Sequence, residues 1–165
     1  MDIIFDYIPE QTFWRILLFI HFLIAVALLT AVTLQAVTVL MPARQVAGNF
    51  VDRGPVPAAS YTAIIVPLYA IQVLLGAFIY LKYRLYVRIP MEQLRHWWTL
   101  GGFEFKEHIL AMGLGLLPAY WYFWQQPQSM DHAAVRKWLT IFLAVSVWYG
   151  FVSGHIANDF RGIGS

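Results

Sequence analysis

Four long apolar stretches alternate with short polar segments along this chain of 165 residues. A helix that crosses a bilayer needs about 20 mainly apolar residues, and the stretches 14–40, 60–81, 105–124 and 136–155 meet that requirement. The connections between them leave no room for a separate soluble domain. The pattern therefore predicts one all-α domain, residues 1–165, built as an up-down bundle of four transmembrane helices.

Composition supports a membrane protein and narrows its chemistry. Hydrophobic residues make up 60% of the chain and charged residues only 12%, which is unusual for a soluble domain. The net charge of +2 comes without a basic cluster, so nucleic acid is not an expected partner. The absence of cysteine excludes disulfides and thiolate metal sites, which leaves histidine and carboxylate as metal ligands.

The distribution of basic residues predicts the orientation. Four spans place the N-terminus, the connection 82–104 and the C-terminal tail on one side, and this side holds seven of the 11 Lys and Arg residues. By the positive-inside rule that side is cytoplasmic, and both termini with it. We therefore expect an integral protein of a bacterial inner membrane or an equivalent energy-transducing membrane. The opposite connection, 41–59, is rich in proline and glycine and is predicted to be a loop.

The cytoplasmic connection has an unusual pattern of its own. In the sequence LKYRLYVRIPMEQLRHWW, basic residues alternate with aromatic and aliphatic ones. This pattern suggests a segment lying on the lipid headgroups, with Arg84, Arg88 and Arg95 near phosphates. An ordinary basic loop beside the membrane is the alternative.

Three of the five histidines lie within the predicted spans. His21 is in the first span, His108 begins the third and His155 ends the fourth. Because the fourth helix returns towards the cytoplasm, all three fall in the cytoplasmic half of the bundle. Ionisable residues inside membranes are costly and usually mark a site in the bundle interior. A functional site is therefore predicted there, with a structural polar network as the alternative.

The third span offers a face on which such a site could be built. At 100° per residue, His108 shares a face with Glu104, and this pair is predicted to point inward while Lys106 and Glu107 reach the headgroups. Small residues follow at Ala111, Gly115 and Ala119. Such a series allows close approach of either a neighbouring helix or a flat ligand such as haem.

Three kinds of site can use these residues. In the first, two imidazoles bind the iron of haem b, and the cations Arg15, Arg84 or Arg161 pair with the haem propionates. In the second, histidines and carboxylates bind iron, copper or zinc. In the third, the residues form a quinone-head or proton-relay site, in which a histidine and a carboxylate exchange protons at the membrane surface. The candidate ligands for haem are His21, His108 and His155, and those for a metal ion are His21, Glu104, Glu107, His108 and His155.

The chain also resembles a group of known membrane proteins. The sequence LLFIH in the first span, which ends at His21, and the later His108 are similar to features of small four-span proteins related to b-type cytochromes. The copper-resistance D-like group and the haem-associated bacterial protoporphyrinogen oxidase are examples. This resemblance implies a bundle that binds haem between its helices.

We therefore expect a small redox protein that carries haem b and exchanges electrons with quinone or a partner protein. One alternative is a non-catalytic accessory subunit packed on a larger respiratory or photosynthetic complex. A second alternative is an enzyme or transporter with a His/carboxylate metal site. The expected partners are the lipid bilayer and other membrane subunits, and the sequence leaves open whether the protein is an enzyme.

Overall fold

The computed structural model describes residues 9–41, 44–46, 50–52, 58–126 and 130–162. This part of the chain is helical apart from one short hairpin, so the predicted all-α class is confirmed. A π-helical turn at Arg84–Arg88 joins the second helix to the third, and a 3₁₀ turn precedes the last helix. The helices are α1 (Glu10–Leu40), α2 (Ala58–Tyr83), α3 (Ile89–Gln93), α4 (Trp97–Gln125) and α5 (Ala133–Gly162).

The hairpin lies in the connection that the sequence predicted to be a loop. Its strands are β1 (Arg44–Val46) and β2 (Phe50–Asp52), paired antiparallel with Arg44 opposite Asp52. Valine and phenylalanine favour strands, and two short segments that contain them flank a Gly-Asn pair in the sequence VAGNFV. The hairpin is therefore consistent with local sequence preference.

Three helical segments are long and apolar enough to cross a membrane: Glu10–Leu40, Ala59–Gln93 and Ala133–Ile156. They include three of the four predicted spans, and each is longer than predicted. The remaining span, 105–124, lies within α4. This helix has 29 residues, which is long enough, but its charged residues and its many Trp and Tyr residues lower its hydropathy.

The four long helices form a ring in which each packs against two others. Helix α1 contacts α2 and α5, and α4 contacts the same two helices from the other side. Lys82 Nζ lies 2.6 Å from Glu10 Oε1, so the end of α2 meets the start of α1. The Phe103 ring stacks on Tyr83 with centroids 3.9 Å apart, which brings the start of α4 to the same place. We call this end of the bundle the Glu10 end.

Away from the Glu10 end, buried polar groups join the helices. Gln35 of α1 donates to the Thr62 hydroxyl of α2 at 3.2 Å and accepts a hydrogen bond from the Tyr120 hydroxyl of α4. All three side chains are fully buried. Trp124 donates to Thr140 at 3.3 Å and so links α4 to α5. Such interhelical bonds help to fix the packing of membrane helices.

Helices α2 and α4 lie close together at Gly113. The Tyr69 side chain of α2 reaches α4, where its hydroxyl donates a hydrogen bond to the Leu110 carbonyl oxygen at 3.1 Å. A Cβ atom on Gly113 would lie 2.7 Å from Tyr69 Cζ, whereas one on Gly115 would meet nothing within 4 Å. Ala111 is exposed. The small residue that permits close packing is therefore Gly113, which is not in the predicted small-residue series.

A left-handed residue, Arg95, ends α3. Its φ angle is 58°, its N–H bonds to the Glu92 carbonyl at 3.1 Å, and the His96 N–H bonds to the Met91 carbonyl at 3.0 Å. This pair of bonds defines a Schellman motif, in which glycine usually occupies the left-handed position.

Arg95→Gly is therefore expected to stabilise the protein by about 0.5–1 kcal/mol, because it relieves the cost of a left-handed side-chain-bearing residue. Thermal unfolding in detergent measures the effect. Arg84→Gly removes the same charge from an exposed helical position and should instead destabilise by about 1 kcal/mol. Loss of stability in both variants would contradict the prediction.

Candidate functional site

A cavity of about 500 Å³ lies at the Glu10 end, between α1, α2, α4 and α5. Its volume falls in the range of small-molecule and cofactor sites, roughly 300–1,000 Å³. Two of the three predicted intramembrane histidines, His21 and His155, line it. The cavity therefore brings together residues that are far apart in the sequence.

His21 reaches the cavity from α1 and lies against two residues of α2, one that contacts its ring and one that leaves room for it. Its Nε2 atom lies 3.0 Å from the Gln72 amide nitrogen, and its Nδ1 atom is buried without a hydrogen-bond partner. A Cβ atom on Gly76 would lie 3.4 Å from His21 Cε1. The glycine thus makes room for the imidazole ring beside α2.

His155 lines the cavity from α5 and is more exposed. Its ring is stacked with the Phe151 ring at a centroid distance of 5.8 Å and an angle of 14°. Gly150 and Gly154 line the same wall, and a Cβ atom on Gly154 would meet nothing within 4 Å. The α5 wall therefore leaves open space near His155.

His108 is placed differently from the other two histidines. Its side chain is exposed and does not line the cavity. Its Nδ1 donates to the backbone carbonyl of Glu104, one turn earlier, at 2.7 Å. The prediction that Glu104 and His108 form the inward-facing pair of this helix is therefore wrong.

A different set of residues forms the inward face of α4. The residues of this face recur at steps of three and four, which is the spacing of a helix face packed in a bundle. This face is buried or partly buried along its whole length. It comprises Phe103, Lys106, Leu110, Gly113, Leu117, Tyr120 and Trp124.

Lys106 and Glu107 line the cavity, so the prediction that they reach the lipid headgroups is wrong. Only 13% of the Lys106 side chain is exposed, and both residues line the cavity. Lys106 Nζ lies 2.9 Å from Glu107 Oε1 and 3.6 Å from the centroid of the Phe103 ring. The ion pair and the aromatic ring offset part of the cost of burying the ammonium group.

The predicted carboxylate–histidine metal set is not brought together. Glu104 pairs with Arg88 at 3.3 Å instead, and Arg88 also pairs with Glu92 at 2.8 Å. Of that set, only His21, Glu107 and His155 line the cavity. Within the described ranges, no three His, Cys, Asp or Glu side chains form a group that could hold a metal ion.

The arginines predicted to contact propionates or lipid are also separated by the structure. Arg15 lines the cavity, whereas Arg84 and Arg88 do not. Arg84 and Arg95 are exposed in the connection 82–104, where Trp98 is 95% exposed. The side chain of Arg161 lies outside the described residues.

Sequence reasoning missed three residues that contribute to the cavity: Gln72, Gly76 and Tyr83. Three buried side-chain polar atoms lack a hydrogen-bond partner in the described part of the chain, namely His21 Nδ1, Gln72 Oε1 and the Tyr83 hydroxyl. All three residues line the cavity. Buried polar atoms without partners are rare and call for an explanation such as a ligand or water. The one sequence signal was the spacing of Gln72 and Gly76, which are one helical turn apart on α2.

Comparison with known proteins gives no relative from which a function could be transferred. No family model, no curated protein and no solved structure matches the chain. The cavity and its residues are therefore the features that indicate a function.

Proposed function

We propose that this protein is a small membrane redox protein that binds haem b in the cavity and exchanges electrons with quinone or a partner protein. One observation carries the proposal: His21 and His155, which are far apart in the sequence and lie on the neighbouring helices α1 and α5, line the same cavity. A histidine nitrogen is a common axial ligand of haem iron. Bound haem would supply one-electron transfer between its ferric and ferrous states.

The surroundings of His21 suit an axial ligand. Metal-binding imidazoles usually hydrogen-bond through their second nitrogen, which fixes the orientation of the ring. The Gln72 amide already contacts one ring nitrogen while the other has no partner. A glutamine amide can present either its oxygen or its nitrogen, so it can serve an imidazole in either tautomer. Gly76 makes room for the His21 ring, and Gly154 leaves open space on the α5 wall.

The proposal includes four membrane spans. Helix α4 packs between α2 and α5, both of which are apolar enough to cross a membrane, and it is long enough to cross beside them. With four spans the Glu10 end faces the cytoplasm, because it carries the larger share of basic residues. A bacterial inner membrane, or an equivalent energy-transducing membrane, suits this arrangement.

The absorption spectrum of the detergent-purified protein tests the proposal. We expect a Soret band and, after reduction with dithionite, a sharp α-band. His21→Ala should lower haem affinity by more than about tenfold, and His155→Ala should change the coordination seen in the spectrum. His108→Ala is the matched control, because His108 lies outside the cavity, and its spectrum should be normal.

The outcomes separate the alternatives. A normal spectrum in both cavity variants would show that the axial assignment is wrong. A colourless protein that contains a stoichiometric metal would favour a metal-site enzyme or transporter. A protein that binds neither haem nor metal would favour the accessory-subunit alternative.

A further inference from the structure

We propose that the outer part of the cavity, where Arg15 and Tyr83 line the same space beside Lys82, recognises the carboxylate of an amphipathic ligand. Two sources can supply this chemistry, a haem propionate or the head of a fatty acid. For haem, the inference rests on the function proposed above. For a fatty acid, it stands independently of that function.

The polarity of the lining changes along the cavity. Leu28 lines its inner part, about 10 Å beyond His21 along α1 at 1.5 Å per residue. Val147, two turns before His155 on α5, adds to the same apolar wall. The charged lining residues belong to the Glu10 end. A ligand with an apolar body and a polar head would match both parts of this lining.

The outer lining carries an excess of positive charge. Three cations, Arg15, Lys82 and Lys106, and one anion, Glu107, line the cavity, so the difference is 3 − 1 = +2. Lys106 is paired with Glu107, and Lys82 is paired with Glu10 and lies near the rings of Trp14 and Tyr86. The Arg15 guanidinium forms no ion pair within the described residues. It is therefore the cation best placed to pair with a ligand carboxylate.

Tyr83 supplies a second donor. Its side chain is only 9% exposed, and its hydroxyl is buried without a partner although the residue lines the cavity. The stacked Phe103 ring, 3.9 Å away between centroids, holds the phenol in place. A buried hydroxyl without a partner disfavours the folded state. A carboxylate that accepts this hydroxyl's hydrogen bond would remove that cost.

The nearby arginines provide an internal control. Arg84 follows Tyr83 in the chain and is exposed at the same end of the bundle, but it does not line the cavity. If recognition depended only on basic charge near the membrane surface, Arg84 and Arg15 would be equivalent. If it depends on the cavity, only Arg15 contributes.

Ligand acids and their esters test the inference on the full-length protein in a neutral detergent. The probes are haemin, haemin dimethyl ester, palmitate and methyl palmitate, because esterification removes the carboxylate charge and leaves the apolar body unchanged. For at least one pair we expect the acid to bind about tenfold more tightly than the ester, since a hydrogen bond to a charged group contributes about that factor. Tyr83→Phe and Arg15→Gln should each remove most of this preference, and Arg84→Gln should preserve it.

Stability measurements distinguish ligand recognition from a fold defect. Without added ligand, Tyr83→Phe should unfold at the same temperature as the wild type or higher, because it removes only an unpartnered hydroxyl. A preference for palmitate without haemin binding would support the carboxylate site and refute the haem function. Haemin binding that requires His21 but is equally tight for the acid and the ester would support the haem function and refute the carboxylate site. Equal binding of acid and ester in both pairs, or equal effects of Arg15→Gln and Arg84→Gln, would overturn the inference.

Discussion

Gly113→Ala is expected to destabilise the bundle by about 3 kcal/mol, at the upper end of the usual cost of overpacking. The added methyl group would overlap the Tyr69 ring, whose Cζ lies 2.7 Å from the Cβ position. Tyr69 is fully buried and its hydroxyl is bonded to the α4 backbone, so the ring cannot move aside without losing that bond. Unfolding of the purified protein in mixed micelles, followed by circular dichroism, measures the loss.

Gly115→Ala is the matched control for this variant. It makes the same change on the same helix, two residues away, where a Cβ atom meets nothing within 4 Å. Because alanine favours a helix over glycine by about 1 kcal/mol, this variant should be equally stable or more stable. Combining Gly113→Ala with Tyr69→Leu should give less loss than the sum of the two single effects. Equal stability of the two glycine variants would show that α2 and α4 are not in close contact there.

Gln35→Leu is expected to cost about 1–3 kcal/mol. Gln35 accepts a hydrogen bond from the Tyr120 hydroxyl and donates one to the Thr62 hydroxyl. Thr62 and Tyr120 also bond to each other, so removal of Gln35 leaves this buried pair of hydroxyls with one hydrogen-bond donor that lacks its acceptor. The loss arises chiefly from the stranded hydroxyl donor of Tyr120, because leucine has nearly the volume of the side chain that it replaces.

A double variant tests this reasoning. Gln35→Leu with Tyr120→Phe removes both the acceptor and the stranded donor, so it should be more stable than Gln35→Leu alone, with a coupling energy of about 0.5–3 kcal/mol. Thr30→Ala serves as a control, since Thr30 bonds only to the Val26 carbonyl of its own helix in the hydrogen bonds described here. A double variant less stable than Gln35→Leu would refute the role of the stranded hydroxyl.

The helical architecture could be predicted from the sequence because long apolar stretches leave the backbone no alternative in lipid. The convergence of His21 and His155 could also be predicted, since it follows from alternating helix directions and depth. The inward face of α4 differs from the predicted one because large apolar residues, and not the histidine and the small residues, fill the core of the bundle. Leu117 and Tyr120 fill the core, and their spacing continues through Lys106, not through His108.

The remaining parts of the site depend on packing between helices. Nothing in the local sequence shows that the Tyr83 hydroxyl would be buried without a partner, because that depends on where Phe103 lies across the bundle. Likewise, Gly76 is informative only because the His21 ring lies opposite it. Single-helix periodicity identifies which residues share a face but not which residue of another helix each one meets.

The modest hydropathy of α4 has a consequence for how the protein is assembled. Glu104, Lys106 and Glu107 lie in its first half, and a charged residue opposes the insertion of a span more strongly the nearer it lies to the middle. If α4 crosses the membrane, as we propose, it does so against helices that are already present or that enter with it. Insertion of α4 during biogenesis would then depend on α2 being in the bilayer before it, or on α5 leaving the translocon together with it.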